Sequence, residues 1–147
     1  MIRGLEFNFS NSSNDFLKQL LGINFLSNTK VQIFQDEIIL NEKNIRLKRE
    51  VPSIEMSEFL YSNDPLIIFL NLRILPFGGV SSNITTYPDF FNSDYILIML
   101  ITDVKTVEIY TKDDGLLYAI YQLAANNECK NIQYKTETDS RCNLNIC

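Results

Sequence analysis

Apolar and polar positions change period several times along the chain, and each change marks an element. In IRGLEFNF, Leu5, Phe7 and Phe9 alternate with Glu6 and Asn8, the two-residue period of a strand with one wet face. SSNDFLKQLLG switches to helical spacing. There Phe16, Leu17, Leu20 and Leu21 share a side, Ser12 stands three residues before Asp15 as in a capping box, and Gly22 supplies a stop. KVQIFQDEIILNEKNIRLKRE predicts two or three short strands, with Val31, Ile33, Ile39, Ile45 and Leu47 inward and QDE and NEKN as turns. PSIEMSEFLYSNDP predicts a short helix capped by Ser53 and lined by Met56, Phe59 and Leu60. It ends ahead of Pro65, because the residue before a proline avoids helical angles.

LIIFLNLRIL resumes the strand period. Leu66, Ile68, Leu70, Leu72 and Ile74 share one face, while Ile67, Phe69, Asn71, Arg73 and Leu75 share another that turns polar halfway. Pro76 to Asp94 is the longest irregular stretch, broken at most by a helical turn at DFF. Loops of this length are uncommon in compact domains unless they carry function, which makes it the place to look for a site. Tyr95 to Thr102 is apolar on both faces and predicts a covered central strand. Asp103 to Lys105 turns the chain, and Thr106 to Tyr110 returns with Val107 and Ile109 inward and Glu108 and Tyr110 opposite. So short a link forces an antiparallel hairpin. Thr111, three residues before Asp114, opens a helix to about Asn126, packed through Leu116, Ile120, Leu123 and Ala124. KNIQYKT is a last strand, and residues from about 137 to 147 form a loosely held tail.

Together these elements describe a single α+β domain over residues 1–147, in the order β-α-β-β-α-β-β-β-α-β. The sheet is antiparallel or mixed, with about six or seven strands and two or three helices. A chain of 147 residues with 46% apolar side chains buries about 70% of its unfolded surface and needs no cross-links. The net charge of −5 argues against a nucleic-acid partner, whose phosphates call for lysine and arginine. The cluster Lys43, Arg46, Lys48 and Arg49 is interrupted by Glu42 and Glu50 and lacks aromatic neighbours, which fits a charged strand edge. The longest apolar run, Tyr95 to Ile101, is far below the roughly 20 residues that span a bilayer, and the N-terminus lacks the pattern of a signal peptide. The expectation is a cytoplasmic protein with no membrane contact. Cys129, Cys142 and Cys147 are then thiols, and a zinc site would have to borrow a ligand such as Asp139.

The chain has no histidine, which removes the Ser-His-Asp and Cys-His mechanisms and imidazole metal ligands. GGVSS lacks the spacing of a phosphate-binding loop. The acids around the hairpin behave as punctuation: Asp94 precedes a strand, Asp103 sits in a turn, and Asp113 and Asp114 lie at a helix N-terminus. Glu108 is the exception, lying inside a strand beside Tyr110, with a cross-strand ion pair to Arg73 as its expected role. No catalytic residue, metal or cofactor is assigned. Arg73, Glu108, Tyr110, Asp94, Gly78 and Gly79 are the candidate ligand-binding residues.

IRGLEF and DFFNSDYILIMLITDVKTVEIYTKDD carry a resemblance. In both the chain resembles a family of small uncharacterised proteins from low-GC Gram-positive bacteria, a domain of unknown function. That family opens on a similar Arg-Gly strand and has a comparable NSD…VEIY-K-D core. The resemblance implies a bacterial cytoplasmic source and supplies no activity or functional residue. The function expected is that of a non-enzymatic interaction module of regulatory, immunity or anti-toxin type, with a protein partner, either a second copy of itself or another protein. The alternative is a small-molecule binder or carboxylate-based enzyme using the 76–94 loop and the 95–110 hairpin.

Overall fold

The strand and helix periods are realised in one antiparallel sheet with its three longer helices on one side and a short helix on the other. The computed structural model describes residues 2–23 and 26–136. Its elements run β1 (Ile2–Asn8), α1 (Ser13–Leu21), β2 (Thr29–Leu40), β3 (Lys43–Ile45), β4 (Glu50–Pro52), α2 (Ser53–Asn63), β5 (Leu66–Pro76), α3 (Tyr87–Phe91), β6 (Leu97–Thr102), β7 (Thr106–Thr111), α4 (Asp114–Asn126) and β8 (Lys130–Thr136). The sheet order is β3-β2-β5-β6-β7-β1-β8, with β4 also on β2. Every pairing among the described residues is antiparallel, so the mixed sheet falls away. Eight strands and four helices replace the expected six or seven and two or three. The additions, three-residue β4 and five-residue α3, are too short to display a period. The tail, with Asp139, Cys142 and Cys147, lies outside the described residues.

One face of the sheet, the inner face, holds Leu5 and Phe7 of β1, Leu70, Leu72 and Ile74 of β5, Leu97, Met99 and Ile101 of β6, and Val107 and Ile109 of β7. Over it pack Phe16, Leu17 and Leu20 of α1, Met56 and Leu60 of α2, and Leu116, Ile120 and Ala124 of α4. Each large side chain so buried contributes about 1.5–3 kcal/mol. The helix ends follow local chemistry. Ser12 accepts the Asn14 N–H, and Gly22 donates back to Gln19 and Leu20. Two expected caps are displaced. Asp113, not Thr111, caps α4 by accepting the Leu116 N–H at 2.9 Å, since Thr111 is the last residue of β7. Ser53 is the first residue of α2 after Pro52, and its hydroxyl lies 2.7 Å from that of Thr29.

QDE is not a turn. β2 runs unbroken for 12 residues and takes up a phase slip as a bulge. Ile33 faces Leu72 and Gln35 faces Asn71, so Phe34 is the extra residue. The slip lets Val31, Ile33 and Ile38 all join the inner core, and Ile38 replaces the expected Ile39. A second shift leaves Ile68 extra on β5, bringing Ile67 inward and leaving Leu66 exposed, against the expected alternation. Downstream of the bulge Asp36 pairs with Leu70, and its side chain is shut off from solvent. It accepts the Leu47 N–H at 2.9 Å and the Arg49 guanidinium at 2.6 Å, tying the 46–49 strap to β2. Burial raises the Asp36 pKa, but the bonds from Leu47 and Arg49 outweigh it and hold the carboxyl below its ordinary value.

At the other end of the sheet, Gly4 stands between Tyr110 on β7 and Lys135 on β8. A β-carbon there would drive into the Ile109 carbonyl oxygen, which is backbone and has nowhere to go. Gly4→Ala is expected to destabilise the protein by about 3 kcal/mol or more in urea denaturation. Gly22→Ala, whose added carbon meets nothing closer than 3.5 Å, should stay within about 1 kcal/mol of wild type. Because the Asp36 carboxyl titrates lower when folded, its stabilisation is complete above about pH 4 and is lost as pH falls through the folded value. Asp36→Asn should therefore lose less stability than wild type between neutral pH and about pH 3, as followed by the urea midpoint.

Candidate functional site

The other, outer face mixes polar with apolar side chains. Antiparallel register lays one row straight across it: Gln32, Arg73, Ile98, Tyr110, Gly4 and Lys135. The neighbouring row is Gln35, Asn71, Leu100, Glu108, Glu6 and Gln133. Part of this face is roofed by α3 and the segment before it, through Leu75, Ile84, Tyr87, Phe90, Tyr95, Ile98 and Tyr110. The Thr86–Asp89 capping box starts α3. The hydroxyl and backbone of Thr85, with the backbone of Thr86, hold the Asp89 carboxyl below its ordinary value. Tyr87 pins the helix by donating to the Thr111 carbonyl at 3.1 Å, and Lys112 donates to the Ser93 carbonyl.

The expected site residues separate into two groups. Arg73, Glu108 and Tyr110 share the outer face, whereas Asp94, Gly78 and Gly79 shape the loop. Gly78 takes a left-handed φ of 84°, Gly79 donates to the Pro76 carbonyl at 2.9 Å, and Asp94 accepts the Val80 N–H at 2.8 Å. The Arg73–Glu108 cross-strand pair is ruled out by topology, since β6 lies between their strands. Glu108 instead accepts from the Tyr110 hydroxyl at 3.0 Å and lies 3.7 Å from Lys135. Lys135 is also 3.4 Å from Glu6, so one ammonium bridges two carboxylates that face each other across β7 and β1. Lys135 Nζ also lies over the Tyr110 ring, 5.9 Å from its centre. Neither Glu6 nor Lys135 stands out in the sequence, because only the eight-strand order brings the C-terminal strand beside the N-terminal one.

Arg73 is 5% exposed, with its guanidinium carbon 3.9 Å from the centre of the Phe34 ring and 5.4 Å from that of Tyr95. Burial lowers its pKa, and the charge and hydrogen bonding of Tyr95 work the other way. Beside this stack opens a groove of about 600 Å³ lined by Gln32, Ile33, Phe34, Arg49, Glu50, Ser81, Ser82, Asn83 and Tyr95. Its floor is tied together by hydrogen bonds. The Tyr95 hydroxyl donates to Gln32 Oε1 at 2.8 Å. Gln32 Nε2 donates to Glu50 at 3.1 Å and to Ser81. Lys30 holds Glu50 at 2.8 Å, and these hydrogen bonds from Lys30 and Gln32 depress the Glu50 pKa. A smaller hollow of about 290 Å³, lined by Phe34 with Asp36, Arg46 and Phe69, also borders this residue.

Phe34, Gln32 and Tyr95 are the site residues that the sequence reading missed. One signal was available: apolar positions fall on odd numbers through Ile33 and on an even one at Ile38, a slip that an intervening bulge explains. Among the described residues no group of three histidine, cysteine, aspartate or glutamate side chains could hold a metal ion. No helix among them is long and apolar enough to cross a membrane.

Comparison with known proteins agrees with the resemblance carried by IRGLEF and the hairpin. The chain is 28% identical over 153 residues to the uncharacterized protein YncE of Bacillus subtilis (strain 168), covering 99% of this chain and 100% of that protein. No solved structure matches it. Residues 2–145 match the family described as protein of unknown function (DUF2691), and the chain belongs to that family.

Proposed function

We propose that the protein is a non-enzymatic interaction module of the bacterial cytoplasm, of regulatory, immunity or anti-toxin type, which covers a partner protein with its outer sheet face. The observation that carries this reading is the open groove beside Phe34, whose polar floor is already internally hydrogen-bonded. Such a floor presents fixed shape and charge without reorganising when a partner arrives. The flanking loop and α3 add exposed apolar side chains at Val80 and Phe91, the kind of surface that marks recognition sites. A carboxylate mechanism needs two acids in unequal environments; Glu6 and Glu108 instead share one lysine.

A second reading, small-molecule binding, is favoured by one observation. The groove volume of about 600 Å³ falls within the roughly 300–1,000 Å³ of ligand pockets.

A photo-crosslinking side chain placed at Ser82, on the groove rim, tests the interaction reading in the host cytoplasm. The expected result is a discrete one-to-one protein adduct that is absent when the same group replaces Glu42 in the β2–β3 turn. Equal labelling from both positions, or none from Ser82, would contradict it.

A further inference from the structure

The groove beside Phe34 has the parts needed to hold a flat ring. We propose that it binds a free, uncharged nitrogen heterocycle of the purine or pyrimidine kind, as base or nucleoside, stacked on Phe34. This deepens the small-molecule reading and rests on it.

Phe34 is the extra residue of the β2 bulge. A bulge breaks the hydrogen-bond ladder, and its common use is to re-aim a side chain. Here it places a phenyl ring on the polar face of the sheet and leaves it 44% exposed. The ring is held from behind by the Arg73 guanidinium at 3.9 Å, which is itself almost fully buried. Guanidinium and phenyl thus form two layers of a stack, and the remaining phenyl surface lines the groove. A heterocycle laid on it would be the third layer.

The rim matches the edges of such a ring. Ser81, Ser82 and Asn83 supply hydroxyl and amide groups that both donate and accept, and Glu50 supplies an acceptor for ring or exocyclic N–H groups. Charge selects against phosphate. The cations near the groove are shielded or engaged: Lys30 by Glu50 at 2.8 Å, Arg49 by Asp36 at 2.6 Å, and Arg73 buried against Phe34. With a net charge of −5 besides, a nucleic-acid strand or a nucleotide is disfavoured relative to the neutral base or nucleoside.

The test is an amide NMR titration of the full chain with adenosine, guanosine, cytidine and uridine, with ribose and adenosine 5′-monophosphate as comparisons. At least one nucleoside should shift the amides of Phe34 and of residues 81–83, ribose should shift none of them, and the monophosphate should bind more weakly than adenosine. Phe34→Ala should weaken binding about ten-fold or more, as expected for the loss of one stacked ring, and Phe34→Tyr should retain it. If Phe34→Ala does not fold, Ser82→Trp fills the groove from its rim while leaving the β2 sequence unchanged and should abolish binding. The proposal is overturned if no nucleoside shifts these amides, if folded Phe34→Ala binds as wild type does, if Ser82→Trp leaves binding intact, or if the monophosphate binds as tightly as adenosine. A Ser82 protein adduct without nucleoside binding would overturn this proposal and leave the interaction reading standing.

Discussion

A single unpaired residue in β2 sets how the two faces of the sheet are used. Without Phe34 out of register, a strand carrying Val31 and Ile33 toward the helices would turn Ile38 to solvent, because side chains alternate strictly. The bulge keeps all three in the core. It also leaves one large aromatic on the opposite face, where it packs on Arg73 and borders the groove. Core continuity and the shape of the candidate site therefore come from the same backbone irregularity. The strap that follows benefits as well, since the slip turns Asp36 to where Leu47 and Arg49 bond it.

The faces are built on different physics. The inner face is held by apolar contact among strands β1, β5, β6 and β7 and helices α1, α2 and α4. It would tolerate volume-conserving exchange. The outer face combines an apolar cluster under α3 with specific polar geometry: Tyr95 on Gln32, Gln32 on Glu50, and Lys135 between Glu6 and Glu108. Removing one partner there leaves another shielded polar group without its bond, which costs more than the bond contributes. A face whose polar groups are already bonded to one another needs little rearrangement when it meets a partner, as the proposed interaction requires.

Much of the fold was legible because long elements repeat their signal. The 95–110 hairpin follows from two apolar runs and a link too short for any crossover, and α4 follows from Leu116, Ile120 and Ala124 at helical spacing. What was hidden is non-local or short. β4 has three residues, so its pairing with β2 is visible only once the strap is in place. Ile39 was preferred over Ile38 because a regular period was assumed through a strand that contains a bulge. The candidate site divides in the same way. Arg73, Glu108 and Tyr110 were found from the polar side of their own strands, but their partners depend on strand order, which placed β6 between Arg73 and Glu108 and brought Lys135 next to Gly4. Asp94, Gly78 and Gly79 drew attention as rare residues in a long loop, and their role there is to shape its turns.

If the bulge serves recognition and not the integrity of the sheet, deleting Phe34 should restore an uninterrupted ladder. Gln35 would still face Asn71, and Asp36 and Ile38 would still face the core. The most direct measurement is the unfolding free energy of that deletion variant. Stability equal to wild type, or higher by about the 1 kcal/mol of a regained ladder bond, is the predicted outcome. A loss of about 3 kcal/mol or more would show that the ring holds the sheet together, and the outer face would lose its claim as a recognition surface.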